Sequence, residues 1–296
     1  MSEFNINELE PLALVEHEKI KASFITTYAK IHKVSPEDAT VIYDRESLYY
    51  KKALAASDKL KKATNISLYS SFLEAAITGL SLQPGQKSEA YLEARNFNKG
   101  NKDKPQWVSV CNFVITAYGE LNMRMKAGQI VRMSNPIVLF EGDHFQPMTN
   151  AKGELYVDYK PAIPRKSNKI FGSYVAIHLP GGQIDFKWLL QDDISRLKGY
   201  SEKGFNSNAN ALYTSNEGQI DVGFLETKTI KHAMRAYTKL RVGPGAAYED
   251  DVDHEKDSNF APPAEPQKTI TYGKPENGSP KQEQEYAEME DDNDIF

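Results

Sequence analysis

Residues 67–97, SLYSSFLEAAITGLSLQPGQKSEAYLEARNF, change from helical to strand character within one short segment. A helix covers Ser67 to Thr78, and Gly79, which takes the left-handed conformation readily, closes it. Pro84-Gly85 turns the chain, and Glu89–Phe97 then reads as a strand. Upstream the chain is helical. Residues 8–33 read as one helix, with Leu9, Leu12, Val15, Ile20, Phe24 and Ile31 at irregular helical spacing. Ser35-Pro36-Glu37-Asp38 is a strong helix start: serine caps, proline suits the first helical position, and the carboxylates favour the positive end of the dipole. That helix is expected to reach Lys52.

Downstream the chain is strand-rich. Gln106–Asn112, Ile130–Phe140, Leu155–Ile163, Ile170–Leu179 and Ile184–Leu189 read as strands, with Gly181-Gly182 as a two-residue hairpin turn. Phe113–Ala127, Gln191–Lys198 and Ile220–Leu240 read as helices, closed by Gly128, by a loop rich in Asn, Ser and Gly, and by Gly243-Pro244-Gly245. The expected fold class is α+β: N-terminal helices, a central antiparallel sheet packed with helices, and a disordered acidic C-terminal tail. The expected division is an N-terminal helical region over 1–60, a core over 61–246 and the tail over 247–296. The tail is rich in Pro, Glu, Asp, Gln and Lys and buries too little apolar surface to offset chain entropy.

Charge is segregated. Residues 248–296 hold fifteen acids and four lysines, a net of −11; residues 1–247 hold thirty-two basic and twenty-six acidic residues, a net of +6. A basic body with an acidic tail points to a polyanionic partner; a solubilising tail on a mildly basic domain is the alternative. One cysteine, Cys111, excludes an internal disulfide framework and a cysteine-rich zinc site, and fits a reducing cytosol. No apolar run is long enough for a membrane-spanning helix, and the acidic N-terminal stretch lacks a secretory h-region.

The last helix carries the sharpest signal. Lys228, Lys231, Arg235 and Lys239 share one stripe, while Ile230, Ala233, Met234, Tyr237 and Leu240 fall opposite. No acid follows Glu226 within the helix, so the ridge suits a phosphate backbone; a solvated basic face is the alternative. Further basic groups are Arg95, Lys99, Lys102 and Lys104; Arg124, Lys126 and Arg132; and Arg165, Lys166 and Lys169. Tyr91, Phe97, Trp107, Tyr118 and Phe171 interleave with them, as stacking platforms for single-stranded bases or as strand core residues. The glycine-rich segment from Gly79 to Ser88 has the wrong spacing for a phosphate-binding loop and no strand leading into it. Glu141, Asp143, His144, Asp185, Asp192 and Asp193 show no metal-site spacing, and the two last sit where a helix dipole explains them.

Several short motifs occur in a family's order. Gly79-Leu80-Ser81-Leu82-Gln83-Pro84 precedes Glu89-Ala90-Tyr91-Leu92; Tyr118-Gly119-Glu120-Leu121 precedes Arg124-Met125-Lys126-Ala127-Gly128. Val138-Leu139-Phe140-Glu141-Gly142-Asp143-His144-Phe145, Gly172-Ser173-Tyr174-Val175-Ala176, and Glu226-Thr227-Lys228-Thr229 with Arg235 follow. From Asn65 to Gly245 this resembles the core of the RecT family of phage-type recombinases. The family usually has a basic residue just before the glycine where this chain has Ala117-Tyr118. The resemblance implies a non-enzymatic protein that binds single-stranded DNA and anneals complementary strands without ATP or any other cofactor, in recombination and repair. It implies a ring or filament of protomers, a phage exonuclease as partner, and the cytoplasm of a bacterial host as setting. The N-terminal helices are candidates for protomer contacts, and Tyr91, Arg95, Phe97, Arg124, Lys126, Arg132, Lys228, Lys231, Arg235 and Lys239 for DNA contacts. A protective single-strand binder without annealing activity and a metal-dependent nuclease are the rival readings.

The chain ends Met289-Glu290-Asp291-Asp292-Asn293-Asp294-Ile295-Phe296, which resembles the acidic tip of bacterial single-stranded-DNA-binding protein. That likeness makes Asp291, Asp292, Asp294, Ile295 and Phe296 candidates for recruiting host replication or repair proteins. A tail that folds back over the basic groove is the alternative.

Overall fold

The structure, a computed structural model, describes residues 5–101, 104–202, 210–238 and 240. The expected helix over 8–33 is interrupted. The chain makes single 3-10 turns at Ile6–Glu8 and Leu14–Glu16, and α1 (Glu18–His32) starts only after His17, whose Nδ1 accepts the Lys19 N–H at 3.2 Å. Tertiary partners claim the carbonyls that a longer helix would use. Asn65 donates to Ile6 and Leu9 at 2.9 and 2.7 Å, and the Tyr50 hydroxyl donates to Pro11 at 3.1 Å.

α2 (Pro36–Ala55) begins where the sequence predicts, with the Ser35 hydroxyl accepting the Asp38 N–H at 3.0 Å. α3 (Asp58–Lys61) is a single turn, and α4 (Asn65–Thr78) ends at Gly79, whose φ of 66° is the left-handed cap. These helices meet through Phe24, Tyr43, Tyr50 and Phe72, with the Phe24 and Phe72 rings 4.8 Å apart. The same core takes in Leu92 and Cys111 from an antiparallel ribbon of β1 (Ala90–Asn98) and β2 (Trp107–Ile115). Burial there pushes the Cys111 thiol pKa up to about 11.

β2 runs three residues further than expected, so α5 (Ala117–Lys126) starts at Ala117 rather than Phe113. Thr116 sets that start: its N–H donates to the Glu89 carbonyl at 3.0 Å and its hydroxyl accepts the Gly119 N–H at 3.1 Å. The first turn is thus pulled onto β1, and a Cβ on Gly119 would sit 2.0 Å from the Glu89 carbonyl oxygen. Gly119→Ala is therefore expected to lower stability by about 3 kcal/mol, read as a fall in denaturant midpoint at constant slope. A midpoint equal to wild type would show that α5 can lift off the strand.

The remaining elements are β3 (Arg132–Met133), β4 (Ile137–Phe140), β5 (His144–Thr149), β6 (Leu155–Lys160), β7 (Ile170–His178), β8 (Ile184–Leu190), α6 (Gln191–Glu202) and α7 (Val222–Met234). The expected strand Ile130–Phe140 appears as β3 and β4, two pieces along one edge of β7. Between them Pro136 has no N–H to give, and Ser134 keeps the edge in place through its backbone and hydroxyl, at 2.8 and 3.0 Å from Ala176. β8 pairs with the other edge of β7 after the Gly181-Gly182 turn, where φ is 86° and 84°.

The sheet is antiparallel as expected, but the strands form three sheets rather than one. One face of β7 packs Val175 and Ile177 against Ile230, Ala233 and Met234 of α7. Its other face meets the β5–β6 ribbon through Phe145, Tyr159, Tyr174 and Trp188, with Phe145 and Tyr174 5.2 Å apart. The α+β class holds, with the helices over 18–61 sharing their core with β1–β2. The proposed tail, residues 247–296, lies outside the described residues. Among the described residues no helix is long and apolar enough to cross a membrane.

Candidate nucleic-acid interface

Asp221 caps α7, accepting the Phe224 N–H at 2.8 Å. The helix ends at Met234, six residues short of the expected Leu240. Tertiary contacts overrule helical propensity there. The Tyr237 hydroxyl donates to Asp185 at 3.0 Å, Thr238 gives its carbonyl to Arg124 at 2.7 Å, and Leu240 packs against the first core. The stripe of four on a single helix is thus corrected: Lys228 and Lys231 lie on α7, Arg235 is its C-cap, and Lys239 lies outside the described residues.

The facing of the stripe is as the spacing predicts. Leu225, Thr229, Ile230, Ala233 and Met234 are buried, while Lys228 and Lys231 are half-buried and Arg235 is exposed. Phe224, one turn earlier on the same stripe, is half-buried against the core cluster that holds Tyr213. The Lys228 ammonium lies 5.0 Å from the centre of the Phe224 ring and 5.9 Å from that of Tyr213, so its stem is held against aromatic surface. Phe224 was legible as the residue one turn before Lys228.

Beside this face lies His232. Burial lowers its pKa below the ordinary 6.5; Arg235, Arg196 and Lys187 act in the same direction and Asp193 opposes them. Below the ordinary value the unfolded chain binds a proton that the native imidazole still refuses, so His232 makes stability fall as pH drops from about 6.5 toward the lowered native value. His232→Gln should flatten the melting-temperature slope in that window relative to wild type. An unchanged slope would assign the acid sensitivity elsewhere. Lys187 and Arg196 were not singled out in the sequence; Lys187 pairs with Asp185 at 3.1 Å and Arg196 with Asp193 at 2.8 Å.

A second group forms on the β1–β2 ribbon. The register puts Tyr91, Arg95 and Phe97 on the face turned away from the one that carries Leu92 and Cys111 into the core. Tyr91 is 47 % exposed, and Arg95 is held by Glu93 at 2.9 Å. Trp107 at the ribbon's end is 66 % exposed. Lys126 is exposed and reaches the Gly79 carbonyl at 3.3 Å; Arg132 is exposed on β3. The Tyr118 ring, just before Gly119, has the Lys87 ammonium 5.8 Å from its centre.

Arg124 does not join either group. It is 2 % exposed, and its guanidinium donates to Glu120 at 2.5 Å, Gln129 at 2.9 Å and the Thr238 carbonyl at 2.7 Å. Its expectation as a DNA contact is corrected: the charge is enclosed and both terminal amino groups are engaged, with only the buried Nε lacking a partner, so it acts as a bolt between α5 and the chain leaving α7.

The Gly79–Ser88 segment leads from helix α4 into strand β1, the reverse of a strand–loop–helix phosphate loop. Its N–H groups turn inward. Leu82 donates to buried Glu46 at 2.8 Å and Ser81 to Glu89 at 2.9 Å, so protein carboxylates occupy donors a phosphate would need. The acids and the histidine that a metal site would need are individually engaged: Glu141 with Lys169, Asp143 with the Phe140 and Ala162 N–H groups, His144 with Asp158, Asp185 with Lys187 and Tyr237. Asp193 accepts the Leu190 N–H at the start of α6, and Asp192 lies in its first turn. Among the described residues no three metal-ligating side chains gather.

In an α+β protein, a cationic helix face and a loop unfit for nucleotide suit a polyanionic partner better than a bound nucleotide. The model of the RecT family matches residues 47–263, well over half of the 296-residue chain. The chain belongs to the RecT family, whose members are single-strand annealing proteins of DNA recombination. No curated protein matches it.

Proposed function

We propose that this protein binds single-stranded DNA and pairs it with a complementary strand without hydrolysing nucleotide, in recombinational repair. Membership of the RecT family across residues 47–263 is the observation that carries the reading. The cationic outer face of α7 supports it in physical terms. Lys228, Lys231 and Arg235, with Lys239 beyond them, neutralise phosphates and release counterions, which makes binding salt-sensitive. Lys126, Arg132 and the ribbon face of Arg95, Tyr91 and Phe97 supply further phosphate and stacking contacts. No bond is made or broken. The work is charge neutralisation, alignment and a raised local concentration of the second strand.

A fluorescence annealing assay with complementary oligonucleotides, run without ATP, tests this. Pairing should be faster than for the free strands; binding without faster pairing would leave a protective single-strand binder. Labelled DNA incubated with magnesium should stay intact, and cleavage would favour the nuclease reading. Protomers assemble into a ring or filament, with the N-terminal helices as the contact, and a phage exonuclease supplies the single strand. The ending Asp291-Asp292-Asn293-Asp294-Ile295-Phe296 recruits host proteins that recognise the tip of single-stranded-DNA-binding protein. Removing Ile295-Phe296 should abolish their recovery in a pull-down, and equal recovery would sink the recruitment.

A further inference from the structure

The loop from Pro161 to Lys169, between β6 and β7, carries Ile163 at 87 % exposure, the highest of the exposed large apolar side chains among the described residues. Single exposed apolar side chains are ordinary on protein surfaces. This one differs in how its loop is held. Asp143 accepts the Ala162 N–H at 2.8 Å and the Phe140 N–H at 3.0 Å, fastening the residue before Ile163 to the end of β4. Two residues after it, the Arg165 guanidinium lies 3.5 Å from the centre of the Phe140 ring. Lys169 closes the base, its carbonyl accepting the Glu141 N–H at 2.8 Å and its ammonium reaching the Glu141 carboxylate at 3.0 Å. Pro161 and Pro164 narrow the backbone further. The loop thus holds an isoleucine out in water on fixed supports, with exposed Arg165 and Lys166 directly behind it.

We propose that Ile163 is a wedge that enters between two neighbouring bases of the bound single strand, while Arg165 and Lys166 take the flanking phosphates. Apolar side chains do this in other protein–DNA contacts, partly unstacking the base step that they enter. An arginine face laid on an aromatic ring leaves the in-plane donors for phosphate oxygens. By breaking the stack at set intervals, the wedge would keep the strand from collapsing on itself and present bases in short runs to the second strand. The inference rests on the single-strand-binding reading above and adds a specific base contact to it.

The test uses the full-length protein and an oligonucleotide carrying 2-aminopurine at several adenine positions. This base brightens when it is unstacked. Anisotropy of an end label gives affinity in the same samples. Wild type should bind and raise the 2-aminopurine signal. Ile163→Ala should lose most of that rise and bind less than about tenfold more weakly, because the phosphate contacts remain. Ile163→Leu should keep the rise. The side chain is solvent-exposed, so both variants should melt with wild type. A rise in Ile163→Ala equal to wild type would overturn the wedge, as would wild-type binding with no rise at all, while single-strand binding itself would stand. A changed sedimentation of Ile163→Ala with the rise intact would make Ile163 a protomer contact and also overturn it. No binding by wild type would overturn the single-strand reading as well.

Discussion

Replacing Lys228, Lys231 and Arg235 together with alanine lowers the slope of log affinity against log salt by about 2, since each phosphate neutralised on a single strand contributes about 0.7. At low salt the loss of affinity is large, and it narrows as salt rises, because the counterions that those residues displaced are no longer released. The fold should persist. The buried side of α7 is Leu225, Thr229, Ile230, Ala233 and Met234, none of which is touched. Anisotropy titrations at several salt concentrations measure the slope, and a thermal melt checks the fold. A slope equal to wild type would mean that this face meets solvent alone and that DNA lies elsewhere. Phe224 offers a finer reading. If it positions Lys228, Phe224→Ala should lower the slope by less than 1, the share of a single phosphate.

Arg124→Ala produces the opposite pattern: a large loss of stability and a salt slope close to wild type. The substitution leaves the Glu120 carboxylate without its arginine donor, leaves the Thr238 carbonyl with only the 3.4 Å bond from the Gln129 amide, and opens a cavity beside Tyr237, over whose ring the guanidinium lies at 6.0 Å. Removing one partner of such an enclosed pair costs about 3 kcal/mol, which for a domain of this size is a fall of roughly 10 °C in melting temperature. Arg124→Lys should recover little of it, because one ammonium cannot serve three acceptors laid out for a planar fork. A variant that melts with wild type and binds DNA poorly would return Arg124 to the interface.

Much of the fold was legible where local chemistry decides structure. Ser35 before Pro36, Gly79 after Thr78 and the Gly181-Gly182 pair each act within a few residues, and each appears as the sequence predicts. The misreadings lie where distant partners decide. Residues 8–17 have helical spacing, yet Asn65 and Tyr50 hold their carbonyls from more than thirty residues away. β5 was missed because Pro147 interrupts it and polar His144 and Gln146 share it with Phe145; only the β7–β8 face makes that alternation a strand. Among the interface candidates, the facing of Lys228, Lys231 and Arg235 followed from helical geometry alone. Arg124 and Lys126 look equivalent in sequence, and the separator is a carbonyl 114 residues downstream. The available hint was Glu120, one turn before Arg124.

The chain leaving α7 gives the molecule a particular order of completion. Tyr237 reaches Asp185 beside the β7–β8 sheet, Thr238 is bolted to α5, and Leu240 docks on the core built by the N-terminal helices. A ribosome releases these residues only after every other element described has emerged. The helical half and the sheet half can each collapse earlier, but the clasp between them closes last. The mature body is therefore sealed just as the strongly acidic segment begins to leave the exit tunnel.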